Sequence, residues 1–134
     1  HVGIAAAVKK DLPDFVVEPD HRNLEYITVP IDKYESLKEA LLSPRRKLRE
    51  WLAPQGLTIF PGSTLSLGDS TKFERSDLSN SYHDLIEKAY GTRVVTASVH
   101  INLGINDLSA LFKALRLVRC EAALFLALSA SSPF

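Results

Sequence analysis

The chain has 134 residues and carries sixteen basic and sixteen acidic side chains, so its formal net charge is zero. This length allows one compact domain with its own hydrophobic core, and the balanced charge argues against a general electrostatic attraction to nucleic acid or to a membrane surface. The one cysteine, Cys120, excludes an intrachain disulfide. Since neither a signal segment nor an uncharged apolar run of membrane-spanning length is present, we expect a cytoplasmic protein.

The N-terminal part of the chain predicts a short helix and a hairpin. Residues 5–10 favour a helix by propensity, although the segment is short and ends against Pro13. The run Phe15-Val16-Val17 has the aromatic and β-branched composition of a strand. Polar turn residues at 19–23 separate it from a second strand at residues 24–29, so the two strands are expected to pair.

Two glutamates flank the turn of this hairpin. Glu18 ends the first strand and Glu25 lies in the second. Their odd spacing would put them on opposite faces of one continuous strand, but the turn between them allows their carboxylates to converge. Mg²⁺ prefers such oxygen ligands, usually one or two carboxylates together with substrate phosphates. The simpler interpretation is that both glutamates are solvated at the edge of a turn.

A long helical pattern follows the hairpin. Asp32 followed by Glu35 resembles a capping box, and apolar residues at helical spacing continue to Leu52. Pro44 interrupts this pattern. Because Ser43 and Pro44 fit an N-cap and the first helical position, we expect either a kink or a second helix from Pro44 to about Leu52.

The middle of the chain predicts a strand, a long loop and a helix. Residues 57–60 are a short strand candidate, and residues 62–80 have the Ser, Thr, Asp and Gly content of a long loop, of a length that is commonly functional or disordered. Asn80 or Ser81 then caps a helix that Gly91 ends. The predicted inner face of this helix consists of Tyr82, Leu85, Ile86, Ala89 and Tyr90.

The segment Val94 to Gly104 predicts an antiparallel strand with one apolar and one polar face. The polar face carries Thr96, Ser98, His100 and Asn102. An imidazole and an amide two residues apart are typical of a binding surface, although a strand histidine is often a hydrogen-bonded structural residue. Nothing in the sequence ties Ser98 to His100 as nucleophile and base.

The last predicted element is a helix capped by Asn106 or Asp107, with an apolar stripe that widens past Glu121. The fold class is therefore α+β, with antiparallel strands and helices on their apolar face. In the long loop at residues 62–80, Arg75 is a candidate clamp for a carboxylate or phosphate, whereas the simpler interpretation is an ion pair with its neighbours Glu74 and Asp77.

Five motifs occur in order along the chain. They are Glu18-Pro19-Asp20-His21-Arg22-Asn23-Leu24-Glu25-Tyr26-Ile27-Thr28, Pro61-Gly62-Ser63-Thr64-Leu65-Ser66-Leu67-Gly68, Tyr82-His83 through Tyr90-Gly91-Thr92, Val99-His100-Ile101-Asn102, and residues 126–134. Together they resemble the cyanobacterial type of glutamate-cysteine ligase. More distantly the chain is similar to the carboxylate-amine ligase superfamily, whose catalytic sheet is related to that of glutamine synthetase.

This resemblance implies an ATP- and Mg²⁺-dependent reaction in which the γ-carboxylate of L-glutamate is phosphorylated and L-cysteine displaces phosphate, giving γ-glutamylcysteine in the first step of glutathione synthesis. It implies metal-binding roles for Glu18, Glu25 and His100, of which Glu25 and His100 are also catalytic. His100 and Asn102 match the positions that contact the nucleotide.

The resemblance also implies that Arg75, Tyr82 and His83 bind substrate. Alternatives are a ligase that uses another amine, or a non-catalytic domain that binds a nucleotide or an amino acid. The E-x-E strand that opens the family pattern has no match in residues 1–10. We therefore expect residues 1–134 to be a single partial catalytic domain, an internal fragment of an antiparallel glutamine synthetase-like sheet. By itself it is expected to be inactive and to self-associate through an exposed sheet edge.

Overall fold

The structure, a computed structural model, describes residues 3–60, 73–92 and 97–130. The described residues contain five α-helices and one antiparallel sheet of two strands, so the fold class is α+β as predicted. The elements are α1 (Ala5–Asp11), β1 (Phe15–Val17), β2 (Leu24–Tyr26), α2 (Tyr34–Leu52), α3 (Ser81–Tyr90), α4 (Leu108–Cys120) and α5 (Ala122–Ser129).

The chain forms two units, whose described parts are residues 3–60 with 73–92 and residues 97–130. The prediction of a single domain over residues 1–134 stays a prediction. No helix in the described part of the chain is both long enough and apolar enough to cross a membrane.

The first unit has a small hydrophobic core between the hairpin and two helices. Its buried members are Val8 of α1, Phe15 of β1, and Leu48 and Leu52 of α2. Because Leu48 and Leu52 are four residues apart, they lie on one face of α2 and meet the apolar face of the hairpin together. On that hairpin face the rings of Phe15 and Tyr26 are tilted by 55°, with centroids 5.5 Å apart. The expected packing of helices on the apolar face of paired strands is therefore confirmed for this hairpin.

The helix after the hairpin lacks its predicted cap and is not divided into two helices at Pro44. It begins at Tyr34 with Lys33 as N-cap and no side-chain cap hydrogen bond, so the capping box expected from Asp32 and Glu35 does not form. The helix also runs without interruption through Pro44, which is buried. Burial of Pro44 on the same face as Leu48 offsets the hydrogen bond that proline removes from the helix.

The predicted strand at residues 57–60 is also wrong. A 3₁₀ turn (Ala53–Gln55) follows α2, and Gly56 ends it in the left-handed region at φ 68°. The next four residues, 57–60, have no strand assignment, because no described segment pairs with them through the backbone. Leu57 and Ile59 instead pack their side chains against the core.

Helix α3 has the predicted ends but a different buried face from the predicted one. Asn80 accepts a hydrogen bond from the Tyr82 amide, and Gly91 ends the helix at φ 71°. The buried residue is His83, whereas Tyr82 and Leu85 of the predicted inner face are each 61% exposed. Hydrophobic spacing therefore predicted the helix correctly but not its orientation.

The second unit contains the described part of the predicted strand at residues 94–104, together with α4 and α5. Residues 97–104 have no strand assignment, and Val99 is 83% exposed. A strand needs a neighbour for its backbone hydrogen bonds, and no such neighbour is found among the described residues. Asp107 caps α4 by accepting from the Ala110 amide, as expected, and Glu121 separates α4 from α5.

Candidate functional site

The hairpin places the two predicted metal-binding glutamates on one face. In the strand register Val16 lies opposite Glu25 and Val17 opposite Leu24. Leu24 packs against the core, so Glu25 points to the other face. Glu18 directly follows β1 and stands diagonally across from Glu25, a relation that corresponds to about 7–8 Å in a regular ladder. Strand alternation therefore assigns the positions of Glu18 and Glu25 to the same side of the hairpin, away from the core.

The turn between these glutamates is braced by a buried ion pair that the sequence analysis did not single out. Asp20 Oδ1 accepts from Arg22 Nε at 2.9 Å, and Asp20 Oδ2 accepts from Arg22 Nη2 at 2.5 Å. Asp20 is 2% exposed and the Arg22 side chain is 9% exposed. Two parallel hydrogen bonds of this kind hold a guanidinium in one orientation. The i, i+2 spacing of an acid and an arginine within a turn was the available signal.

His21, at the tip of the same turn, caps helix α1. Its carbonyl accepts from the Ala5 amide at 3.2 Å, and its Nε2 accepts from the Ala6 amide at 3.4 Å. These contacts satisfy amide groups of the first turn of α1 that have no partner within the helix. A Cβ at Gly3 would come within 2.9 Å of His21 Nδ1, which explains why a residue without a side chain stands there.

The loop residues that follow the undescribed segment 61–72 lie against the hairpin turn. Arg75 forms an isolated antiparallel bridge with Asp20. The Ser76 amide donates to the Pro19 carbonyl at 3.0 Å, and the Ser76 hydroxyl donates to the Glu18 carbonyl. The backbone on one side of Glu18 is therefore held by the loop as well as by the strand.

Arg75 connects this loop to helix α3. Its Nη2 donates to Glu87 Oε2 at 2.5 Å, and its Nη1 donates to Asp84. The hydrogen bond to Glu87, followed by that to Asp84, raises the pKa of Arg75 above its usual value. Arg75 therefore forms ion pairs, as the simpler interpretation predicted, but its partners are Asp84 and Glu87 rather than Glu74 and Asp77. Because both partners lie on α3, the charged side of that helix faces the loop.

Replacing Arg75 by Gln should loosen α3. The change leaves the Asp84 and Glu87 carboxylates three residues apart on one helix face without the cation between them, and like charges at this spacing destabilise a helix. We expect faster amide hydrogen exchange in residues 83–87, measured by mass spectrometry. The Arg46→Gln change, which breaks an exposed ion pair of α2 with Glu39, serves as the control. Equal exchange in α3 in both variants would contradict the connection.

Asp77 forms a small hydrogen-bonded turn before α3. Its Oδ1 accepts from the Ser79 hydroxyl at 2.7 Å and from the Ser79 amide at 2.9 Å. These two hydrogen bonds, with smaller contributions from the charges of His83 and Lys9, lower the pKa of Asp77. Asp77 therefore favours the folded state above the unfolded-chain pKa of about 3.9, and this contribution is lost as the pH falls through the lower folded-state pKa.

The Asp77→Asn variant should consequently be less stable than the parent near neutral pH and should lose this difference progressively as the pH falls below the unfolded-chain pKa of about 3.9. The effect is small, because Asp77 is partly exposed. Urea midpoints measured across this pH range check it, with Asp14→Asn as a control at an exposed aspartate. A stability difference that grows in acid would show that the sign is wrong.

The other two predicted substrate-binding residues occupy different environments. Tyr82 is exposed on the first turn of α3, whereas His83 is only 5% exposed. Nδ1 of His83 has no hydrogen-bond partner among the described atoms. The structure therefore leaves Tyr82 open to a ligand and encloses His83 within the first unit.

His100 and Asn102 lie in the second unit and are both exposed. Ser98 Oγ and His100 Nε2 are 2.9 Å apart, a hydrogen bond that the sequence analysis gave no reason to expect. This contact places Ser98 and His100 on the same side of the segment, whereas the polar face as a whole stays a prediction. Thr96 of that face, and the motifs at residues 61–68 and 131–134, lie outside the described residues.

Each unit thus holds part of the predicted site. Glu18 and Glu25 lie in the first unit, and His100 lies with Asn102 in the second. Among the described residues no group of three or more His, Cys, Asp and Glu side chains is arranged to hold a metal ion. Two carboxylate positions on one face nevertheless fit the donor set that Mg²⁺ uses when substrate phosphates supply further ligands.

Comparison with known proteins gave one result. Residues 2–134 match the model of a protein family described as glutamate-cysteine ligase family 2. Searches of curated proteins and of solved structures each returned no match to the chain. The family match covers both units and every candidate residue discussed above.

Proposed function

Because the chain belongs to glutamate-cysteine ligase family 2, which indicates a ligase-type enzyme, we propose that it joins L-glutamate to L-cysteine in an ATP- and Mg²⁺-dependent reaction, giving γ-glutamylcysteine. This reaction is the first step of glutathione synthesis. The proposal includes the cyanobacterial type of the family, a glutamine synthetase-like catalytic sheet and a cytoplasmic location. The observation that carries it is the placement of Glu18 and Glu25 on one face of the hairpin.

The proposed reaction has two steps. A γ-carboxylate oxygen of glutamate attacks the terminal phosphorus of ATP, so ADP leaves and an acyl phosphate forms. The cysteine amine then attacks the acyl carbon, the C–O bond to phosphate breaks, and the nitrogen loses a proton. Magnesium, when bound, supplies positive charge that offsets the negative charge of the phosphates during phosphoryl transfer.

In this proposal the hairpin residues hold and orient the metal. Glu18 and Glu25 supply the carboxylates, and the buried pair of Asp20 and Arg22 keeps the turn between them in one conformation. Fixed placement of the two carboxylates matters, because charged groups stabilise a transition state best when they are already in position and do not have to move during the reaction. His100 and Asn102 contribute hydrogen bonds to phosphate oxygens.

The loop and α3 contribute the substrate side. We assign direct substrate contact to Tyr82, which is exposed. Arg75 is engaged with Asp84 and Glu87, and His83 is buried, so these two residues act on substrate binding by holding the first turns of α3 in place.

The test is an assay of the full-length protein with ATP, Mg²⁺, glutamate and a panel of amines. Phosphate release that requires both glutamate and cysteine, together with γ-glutamylcysteine detected by mass spectrometry, is the expected result. Release with a different amine and none with cysteine would assign the protein to another amine substrate. Absence of glutamate-dependent release with every amine would contradict a ligase function and favour a non-catalytic binding role.

A further inference from the structure

We infer that Ser98 is a positioning residue for His100: it engages Nε2 of the imidazole, so that Nδ1 is the ring nitrogen directed to the bound phosphate. The identity of the ligand rests on the proposed function. The Ser98–His100 hydrogen bond does not, because it is a contact within the second unit that needs no ligand.

The geometry of this pair leaves one nitrogen available. Ser98 Oγ lies 2.9 Å from His100 Nε2, within the range of a good hydrogen bond. Among the described residues Ser98 is the hydrogen-bond partner recorded for the His100 ring, and both side chains are exposed. Nδ1 is therefore the ring nitrogen left to meet a ligand.

The contact with Ser98 affects which ring nitrogen of His100 carries the proton. A neutral ring has one donor nitrogen and one acceptor nitrogen, and the group bound by the first nitrogen influences which role the second one takes. When the Ser98 hydroxyl donates to Nε2, the proton of His100 resides on Nδ1. Nδ1–H can then donate to a phosphate oxygen, which accepts but does not donate. Ser98 thus sets the orientation of the ring, and the tautomer in which its hydroxyl donates to Nε2 is the one that presents an N–H donor to the phosphate.

An exposed imidazole has little else to hold it. His100 is itself exposed, as are Val99 and Ile101 on either side of it at 83% and 81%, so no packed side chains of the described residues enclose the ring. Without the Ser98 hydroxyl the ring would rotate among several orientations, only some of which point a nitrogen at the ligand. We expect Ser98→Ala to lower kcat by about tenfold, the lower end of the effect seen when a partner that orients a functional histidine is removed. Ser98→Thr keeps the hydroxyl and should restore most of the activity.

A spectroscopic measurement tests the contact without relying on activity. In the full-length protein with ¹⁵N-labelled histidine rings, Ser98→Ala should shift the Nε2 resonance of His100 more than its Nδ1 resonance. Addition of ADP with Mg²⁺ to the unchanged protein should instead shift Nδ1 more. Ser109→Ala, at an exposed serine of α4 in the same unit, is the matched control. An Nε2 resonance that is the same in the Ser98→Ala variant would overturn the inference.

A pair of substitutions at His100 tests which nitrogen meets the ligand. The side-chain amide of Asn reaches the position of Nδ1, whereas the longer Gln reaches that of Nε2. His100→Asn should therefore retain about tenfold more activity than His100→Gln, since it alone preserves a donor at the ligand-facing position. Better activity of the Gln variant would overturn the assignment of Nδ1. Full activity of His100→Ala would refute the role of His100 in the proposed function. In that case the Nε2 resonance in the Ser98→Ala variant would still show whether Ser98 contacts the ring.

Discussion

The Glu25→Gln variant of the full-length protein is expected to lose about 100-fold or more in ligase turnover, the effect typical of removing one fixed charge-stabilising group from an active site. Gln keeps the size of the side chain but removes the negative charge that a metal ion requires. Glu25 lies on the face of the hairpin away from the core, opposite Val16. The free energy of unfolding should therefore change by less than about 0.5 kcal/mol, as for other substitutions at such positions.

Turnover and thermal unfolding of this variant are measured together, and half-saturation by Mg²⁺ is determined from the same assay. Glu50→Gln is the matched control, because Glu50 is an exposed glutamate of α2 in the same unit. The control should retain normal turnover. A metal role for Glu25 would be contradicted by unchanged turnover, and a large loss of thermal stability would show that the carboxylate instead supports the hairpin.

Replacing Asp20 by Ala should destabilise the chain by about 3–5 kcal/mol, the usual cost of removing one partner from a buried ion pair. Asp20 is 2% exposed and its carboxylate receives three hydrogen bonds from Arg22, two from the guanidinium and one from the backbone amide. Without the carboxylate, the Arg22 guanidinium stays largely buried and loses its bidentate partner. Urea unfolding of the chain measures the loss.

An exposed ion pair in the same unit provides the comparison. Arg46 Nη2 lies 2.8 Å from Glu39 Oε2, but both side chains are more than half exposed. Glu39→Ala should therefore change the stability by about 0–1 kcal/mol, since water screens the charges and solvates the remaining partner. Equal losses from Asp20→Ala and Glu39→Ala would mean that burial does not set the strength of these pairs here. Asp20→Asn should fall between the two, because the amide keeps one acceptor oxygen but not the charge.

Local signals in the sequence were sufficient for much of the first unit. The hairpin could be predicted because the strand composition and the turn residues act within a few positions of each other. The caps at Asn80 and Asp107 and the glycine stop at Gly91 could be predicted for the same reason, since each depends on hydrogen bonds or backbone angles within one helical turn. The shared face of Glu18 and Glu25 follows from the hairpin register, which the turn length sets.

The orientation of α3 could not be predicted in this way. Its apolar spacing favoured a buried face with Tyr82 and Leu85, yet the structure turns the helix toward Arg75 and buries His83. The spacing of apolar residues indicates which residues of a helix share a side, but not which other part of the folded chain that side packs against. In the folded chain Asp84 and Glu87 pair with the guanidinium of Arg75 from the loop, a contact that the spacing of apolar residues in α3 does not indicate.

By itself, then, the sequence determined the hairpin, the ends of α3, the cap of α4 and the family resemblance, all of which depend on residues near one another in the chain or on motifs in order. Only the tertiary structure decided that Asp20 and Arg22 are buried, that Arg75 pairs with α3, and that Ser98 contacts His100. The physical reason is that burial and hydrogen bonding between side chains depend on distances and orientations in the folded chain. Hydrophobic periodicity and residue type constrain these distances only where the backbone between the two groups is itself regular.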